Sequence, residues 1–241
     1  NWSGGDFRGF AGMIINSGAT LNITNTVGIK GDNLITNNGT MIWGSGSTIQ
    51  YGAGGTNAQI QNNGIFNING AAGIVDAGGG SNTFYFTNEA SGTINKTTGN
   101  TTINAGTLFQ NSGTVNVTSG VLNVGQFFSP QDGVYNVGAA GELTGGTLNF
   151  TGSTFSNSGL VSNNEINFSG GSVQTLTGNG QMQTMRMSNA AGVNLTGNQT
   201  IYFFMHFGTG KITTGSNILT ISPDASVDGG SNASYVNGFV K

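Results

Sequence analysis

The sequence predicts an all-β fold: a right-handed parallel β-helix, that is, a single-stranded β-solenoid with coils of roughly 18–28 residues, running through 1–241 as a single domain. Three observations predict it. A phrase of Asn, Ser or Ala, then Gly, then alternating apolar residues recurs along the chain at intervals near the twenties. No window supplies helix formers at 3.6-residue periodicity. Gly numbers 44 of 241 residues while only 6% are charged, so turns are plentiful and charged helix surfaces are not available.

The phrase first reads Asn16-Ser17-Gly18-Ala19-Thr20-Leu21-Asn22-Ile23. It returns as Asn37-Asn38-Gly39-Thr40-Met41-Ile42, Asn62-Asn63-Gly64-Ile65-Phe66-Asn67-Ile68, Ala90-Ser91-Gly92-Thr93-Ile94 and Asn111-Ser112-Gly113-Thr114-Val115-Asn116-Val117. Weaker copies stand at Ala140-Gly141-Glu142-Leu143 and Asn157-Ser158-Gly159-Leu160-Val161. The intervals between these glycines are uneven, shortest from Gly141 to Gly159 and longest from Gly64 to Gly92 and from Gly113 to Gly141. Each Asn-Gly or Ser-Gly makes a corner, because Gly and Asn accept positive φ at little cost. A short strand follows, with every second side chain inward. That parity points Val115 and Val117 inward, then Leu122 and Val124 in a second strand of the same coil. It also points Leu21, Ile23, Ile65 or Phe66, Leu195 and Leu219 inward. Corner Asn residues of adjacent coils are expected to hydrogen-bond in a ladder.

From about Ser172 the texture changes. Met182, Met185 and Met187 read as a strand, followed by Val193 and Leu195, the run Ile201-Tyr202-Phe203-Phe204-Met205, then Ile212, Leu219, Ile221 and Val227. The same rod is expected to continue through them. An antiparallel sandwich also has short alternating strands, but two-residue hairpin loops are scarce here.

Composition limits the function. Net charge is −3 and the pI about 4.8, with Lys30, Lys96, Arg186 and Lys211 scattered singly, which argues against nucleic acid as a partner. No apolar run approaches the roughly 20 residues that cross a bilayer, so no membrane insertion is expected. Fifteen Phe and recurrent β-branched residues distinguish the chain from a disordered one. Cys is absent, so no disulfide contributes. A surface of Asn, Thr, Ser and Gly suits an exported protein, located outside the cell or on its outer surface. No signal peptide is visible at Asn1 and there is no initiator Met, which fits one module of a longer polypeptide.

The C-terminal part of the chain resembles stretches of large, repetitive surface proteins of Bacteroidetes. The matching phrases are Met185-Arg186-Met187-Ser188-Asn189-Ala190-Ala191-Gly192-Val193-Asn194-Leu195, Lys211-Ile212-Thr213-Thr214-Gly215-Ser216-Asn217-Ile218-Leu219-Thr220-Ile221, and Asp228-Gly229-Gly230-Ser231-Asn232-Ala233-Ser234-Tyr235-Val236-Asn237-Gly238. The resemblance implies a secreted adhesin-like protein of the type IX-exported group. Its partners would be surface glycans, a host or substratum surface, and adjoining domains of the same polypeptide.

Chemistry is sparse. Polysaccharide cleavage on a β-helix needs clustered carboxylates. The acids are Asp6, Asp32, Asp76, Glu89, Asp132, Glu142, Glu165, Asp224 and Asp228. Glu142 and Glu165 are separated by an interval within the range of one coil, which would stack them if the local coil matched it. His206, the single His, is expected on the outer face of an aromatic strand, and with no Cys no transition-metal site is expected. Gly208-Thr209-Gly210-Lys211 lacks the spacing of a phosphate loop. No catalytic residue and no cofactor are expected; Asp224 and Asp228 with nearby carbonyls are candidates for a single structural Ca²⁺. The candidate ligand contacts are Trp43, Tyr51, Tyr85, Tyr135 and Tyr202, which would stack on sugar rings if exposed in a row, with Trp2 and Tyr235 in the same class. The leading function is a structural or adhesive module, with a carbohydrate-binding solenoid or a polysaccharide-degrading enzyme as alternatives. Flat Thr-rich faces also suggest an ice-binding rod, but the irregular coil lengths argue against a regular Thr lattice.

Overall fold

The computed structural model describes residues 1–8, 12–52, 57–78, 83–104 and 106–241. Among them every regular element is a strand, and almost every pairing is parallel. The strands stack as a β-solenoid of about 11 turns.

The coil has three faces. Face 1 begins with Thr20–Ile23, Thr40–Trp43, Ile65–Asn69 and Thr93–Thr98. It continues through 114–117, 134–137, Thr154–Asn157, Gln174–Thr177 and Val193–Leu195. Face 2 runs from Asp6–Phe7 and Val27–Ile29 through Thr48–Tyr51, Ala72–Asp76 and Asn100–Ile103 to 121–124, 142–145 and 160–163. Face 3 begins as a six-stranded sheet: Met13–Ile15, Leu34–Asn37, Asn57–Asn62, Thr83–Asn88, Thr107–Asn111 and Phe127–Gln131. It continues through 147–150, 165–168, 184–188 and 204–207 to Ser226–Gly229. Later strands bend round the corners without breaking, so Val134–Phe150 and Gln199–Ile221 each serve all three faces.

The alternation that predicts strands also fills the core. One inward column is Leu21, Met41, Phe66, Ile94, Val115, Tyr135, Phe155, Leu176, Leu195, each the register partner of the next. The face continues as Val193, Ile212, Val236. Coil length varies along the column, longest from Phe66 to Ile94 and shortest from Leu176 to Leu195. Val115, Val117, Leu122, Val124, Ile23, Leu195 and Leu219 are buried as expected, while Leu21 in the first full coil is half-buried. At the open choice, Phe66 goes inward and Ile65 faces out. Met182, Met185 and Met187 are all buried although their spacing breaks strict alternation. The strand turns from face 2 to face 3 between them, and the register shifts there.

The corner ladder is present. Asn37 Nδ2 donates to Asn62 Oδ1, Asn62 Nδ2 to Asn88 Oδ1, and Asn88 Nδ2 to Asn111 Oδ1, each at 2.7 Å and wholly buried. Beside it runs a file of rings, Trp43, Phe66, Phe86, Phe109, Phe127, Tyr135, Phe155, with neighbouring centroids 5.0 to 6.4 Å apart, mostly edge-on or tilted. These are the separations at which aromatic pairs add to simple burial.

Two of the phrase copies fall on a different corner from the rest. Gly133 continues the corner of Gly113, since a Cβ there would meet the Gly113 carbonyl at 2.2 Å. Gly141 instead pairs with Gly120 at the corner between faces 1 and 2, and Gly159 follows it. The long interval from Gly113 to Gly141 and the short one from Gly141 to Gly159 therefore mix two corners. The coils themselves are even there, since Val115, Tyr135 and Phe155 follow one another in register at equal steps.

Candidate functional site

Parity decides the fate of the aromatic candidates. Trp43 shares the inward parity of Met41, Tyr51 that of Ile49, and Tyr135 that of Val137. All three are 0% exposed, so the expectation that they meet a ligand is corrected: they are core residues. The Tyr51 hydroxyl donates to Asn104 Oδ1 at 3.0 Å and the Tyr135 hydroxyl to Gln131 Oε1. Burial pushes both phenols above their usual pKa, Tyr135 far above. Tyr85 and Tyr202 are half-exposed, but Tyr85 lies on the outside of face 3 opposite Gln59 and Leu108, and Tyr202 lies on face 2 several coils away. No aromatic row forms from these five. The pKa of Tyr202 is raised by burial and by the nearby Glu142 carboxylate.

The carboxylate candidates also separate. Glu142 is opposite Val121 and Leu160 on face 2; Glu165 is opposite Thr147 on face 3. The local coil is shorter than the interval between the two acids, so they do not stack. Glu142 accepts from Ser162 Oγ at 2.5 Å, and Glu165 accepts from Arg186 Nε at 2.8 Å. His206 does lie on the outer side of face 3, paired with Asp228 opposite it in register. Asp228 is thus turned to His206, and among the described residues no three His, Asp or Glu side chains converge on a point that could hold a metal. Gly208 to Lys211 lies inside a continuous strand with no helix after it. Among the described residues no helix is long and apolar enough to cross a membrane.

Two surfaces remain. One is an open groove of about 440 Å³ where faces 1 and 2 meet, floored by Gly120, Gly141, Gly159 and Gly180 and edged by Glu142 and Gln181. It exists because small residues stack at that corner in four successive coils. The other is face 1 itself. Its two outward rows between Thr20 and Thr213 are Thr, Asn, Ser and a few aliphatics, stacked in register, with Lys211 outward beside their far end. The sequence contains this pattern, in Thr93-Ile94-Asn95 and Thr114-Val115-Asn116, but reading aromatics and carboxylates by residue type passes over it.

Inside, sequence reasoning missed Lys96. It is 0% exposed and stands in the apolar column between Ile68 and Val117. Its ammonium donates to the Gly70 carbonyl at 3.1 Å and to the Thr98 carbonyl. Burial lowers its pKa.

No family model, curated protein sequence or solved structure matches the chain.

Proposed function

We propose that the chain is a structural and adhesive module of a bacterial secreted or cell-surface protein, a stalk that presents long, repetitive, sparsely charged faces to a surface. The observation that carries this reading is the separation of the ionisable groups. Glu142 and Glu165 sit on different faces, and Glu165 and Asp228 are already paired with Arg186 and His206. Acid–base cleavage asks for two such groups held together over one bond, whereas adhesion asks for length, resistance to unfolding and repetition. Each coil contributes about 4.8 Å, and the interior ladder of amides and rings ties every coil to the next. The resemblance of the C-terminal phrases to Bacteroidetes surface proteins favours export to the outer surface, with glycans, a substratum or adjoining domains as partners. The corner groove beside Glu142 supports a second reading, carbohydrate binding, because its length across four coils suits a linear chain.

The test couples two assays. Beads coated with the module should adhere to cells or glycan-coated surfaces, and the module should release no reducing ends or unsaturated products from pectin, alginate or related polymers. Turnover that disappears in Glu142→Gln or Glu165→Gln would replace the adhesive reading with an enzymatic one.

A further inference from the structure

Two outward rows of face 1 carry no charge; the outward Lys211, over the Tyr235 ring, stands only at the last coils of that face, beside the end of the rows. One outward row runs Thr20, Thr40, Ile65, Thr93, Thr114, Val134, each the register partner of the next. It continues as Thr154, Thr175, Asn194, Thr213. A second row, two positions further along each strand, runs Asn22, Ile42, Asn67, Asn95, Asn116, Asn136, Ser156, Thr177. None of these positions is charged or aromatic. The Glu165–Arg186 ion pair and the His206–Asp228 contact are on face 3, and Glu142 is on face 2.

The middle of the second row is also held still. Asn95 Nδ2 donates to Asn67 Oδ1 at 3.0 Å, Asn116 to Asn95 at 2.8 Å, and Asn136 to Asn116 at 2.8 Å. Thr side chains are stiff at χ1. The face therefore presents methyls, hydroxyls and amides in fixed positions, with little side-chain entropy left to lose on contact. Within a row the spacing is about 4.8 Å, and between rows about 7 Å, two steps of an extended strand. This is a two-dimensional grid.

Uneven coil lengths counted against such a grid. The structure removes the objection. The surplus residues of the longer coils fall in connections, between Tyr51 and Asn57, between Asp76 and Thr83, and, in the longest coil, also between Asn88 and Thr93. Face 1 stays paired one to one across both coils at Thr40–Trp43, Ile65–Ile68 and Thr93–Lys96.

We infer that face 1 binds ice. Water held on a fixed, neutral grid of hydroxyls and amides, with methyl groups between them, forms an ordered layer that merges with the similarly spaced oxygen lattice of an ice surface. Sugar polymers fit this face less well, since neither row offers a ring to stack on. A second copy fits less well too: Ile42, Ile65 and Val134 are the only large apolar members of the two rows, far short of an apolar interface core. The inference rests on the reading of the module as a surface-contacting rod, and it names the surface.

The test watches single ice crystals in solutions of the whole chain. Faceted growth and a gap between freezing and melting points are expected. Thr93→Lys and Thr114→Lys should each cut that gap several-fold and together abolish it, with circular dichroism and melting temperature unchanged. Gln59→Lys, on the outside of face 3, should leave it intact. Unmodified ice growth by the folded wild type overturns the inference, as does a Gln59→Lys loss equal to that of Thr114→Lys. Retention on crystalline cellulose that Thr114→Lys removes, without any effect on ice, also overturns it but leaves the adhesive reading standing.

Discussion

Replacing Asn62 with Ala tests whether the buried amide ladder holds the coils together. Asn62 is 0% exposed; its Oδ1 accepts from Asn37 and its Nδ2 donates to Asn88, both at 2.7 Å. Truncation removes two buried hydrogen bonds, each worth about 1 kcal/mol net. It also strands the Asn88 Oδ1 acceptor away from water, at about 1–3 kcal/mol. Asn37 is less affected, because its Nδ2 keeps the Ile65 carbonyl at 2.9 Å. The expected loss is therefore about 3–5 kcal/mol, the sum of these contributions. The neighbouring residue supplies the control. Asn63 Nδ2 donates to Asn38 Oδ1 at 3.0 Å on the exposed side of the same corner, so Asn63→Ala should cost at most about 1 kcal/mol. Urea unfolding followed by far-UV circular dichroism gives both values. In a solenoid each coil touches only its neighbours, so amide hydrogen exchange near residues 62–93 should report the loss even if the ends stay folded. Equal costs for Asn62→Ala and Asn63→Ala would refute the ladder as a source of stability.

Charge placed in the core should depend on what it meets. Val115→Asp lies between Ile94 and Tyr135 and should cost several kcal/mol as an unpaired buried charge, whereas Val117→Asp lies beside Lys96 in register and should cost measurably less. Urea melts of both variants, each alone and combined with Lys96→Met, isolate that coupling; equal costs for the two Asp variants would refute it. Lys96→Met should leave stability unchanged or raise it. Burial depresses the Lys96 pKa, so the folded chain binds fewer protons than the unfolded chain in the window between that lowered pKa and the unfolded value of about 10.4. Wild-type stability should consequently gain a contribution as pH rises through this window, and Lys96→Met should lack that slope in melting temperature measured against pH. Trp43→Ala should cost about 3–5 kcal/mol as a large core truncation, against about 1 kcal/mol or less for half-exposed Tyr85→Ala, both by urea melts. Similar costs would return Trp43 to the surface.

The sequence by itself determined the class of fold and much of the core. A side-chain period of two is local, so Thr114-Val115-Asn116-Val117 declares its inward pair without knowledge of anything else. Asn-Gly and Ser-Gly declare corners for an equally local reason, the cost of positive φ. What the sequence left open is which residues of distant coils lie opposite each other. Only stacking settles that, because a corner phrase looks the same at either of two corners, as Gly133 and Gly141 show. The same gap explains the misplaced candidates. Trp43, Tyr51 and Tyr135 are amphipathic by type but inward by register, and Glu142 and Glu165 are near one coil apart in number yet on different faces. It also explains the surface that was discounted. Coil length varies along the chain, but connections between faces absorb most of the variation, since a hydrogen-bonded ladder tolerates an occasional bulge while a connection tolerates many added residues. The uncharged grid of Thr and Asn on face 1 is thus written in the sequence residue by residue, and assembled only by the register of the folded rod.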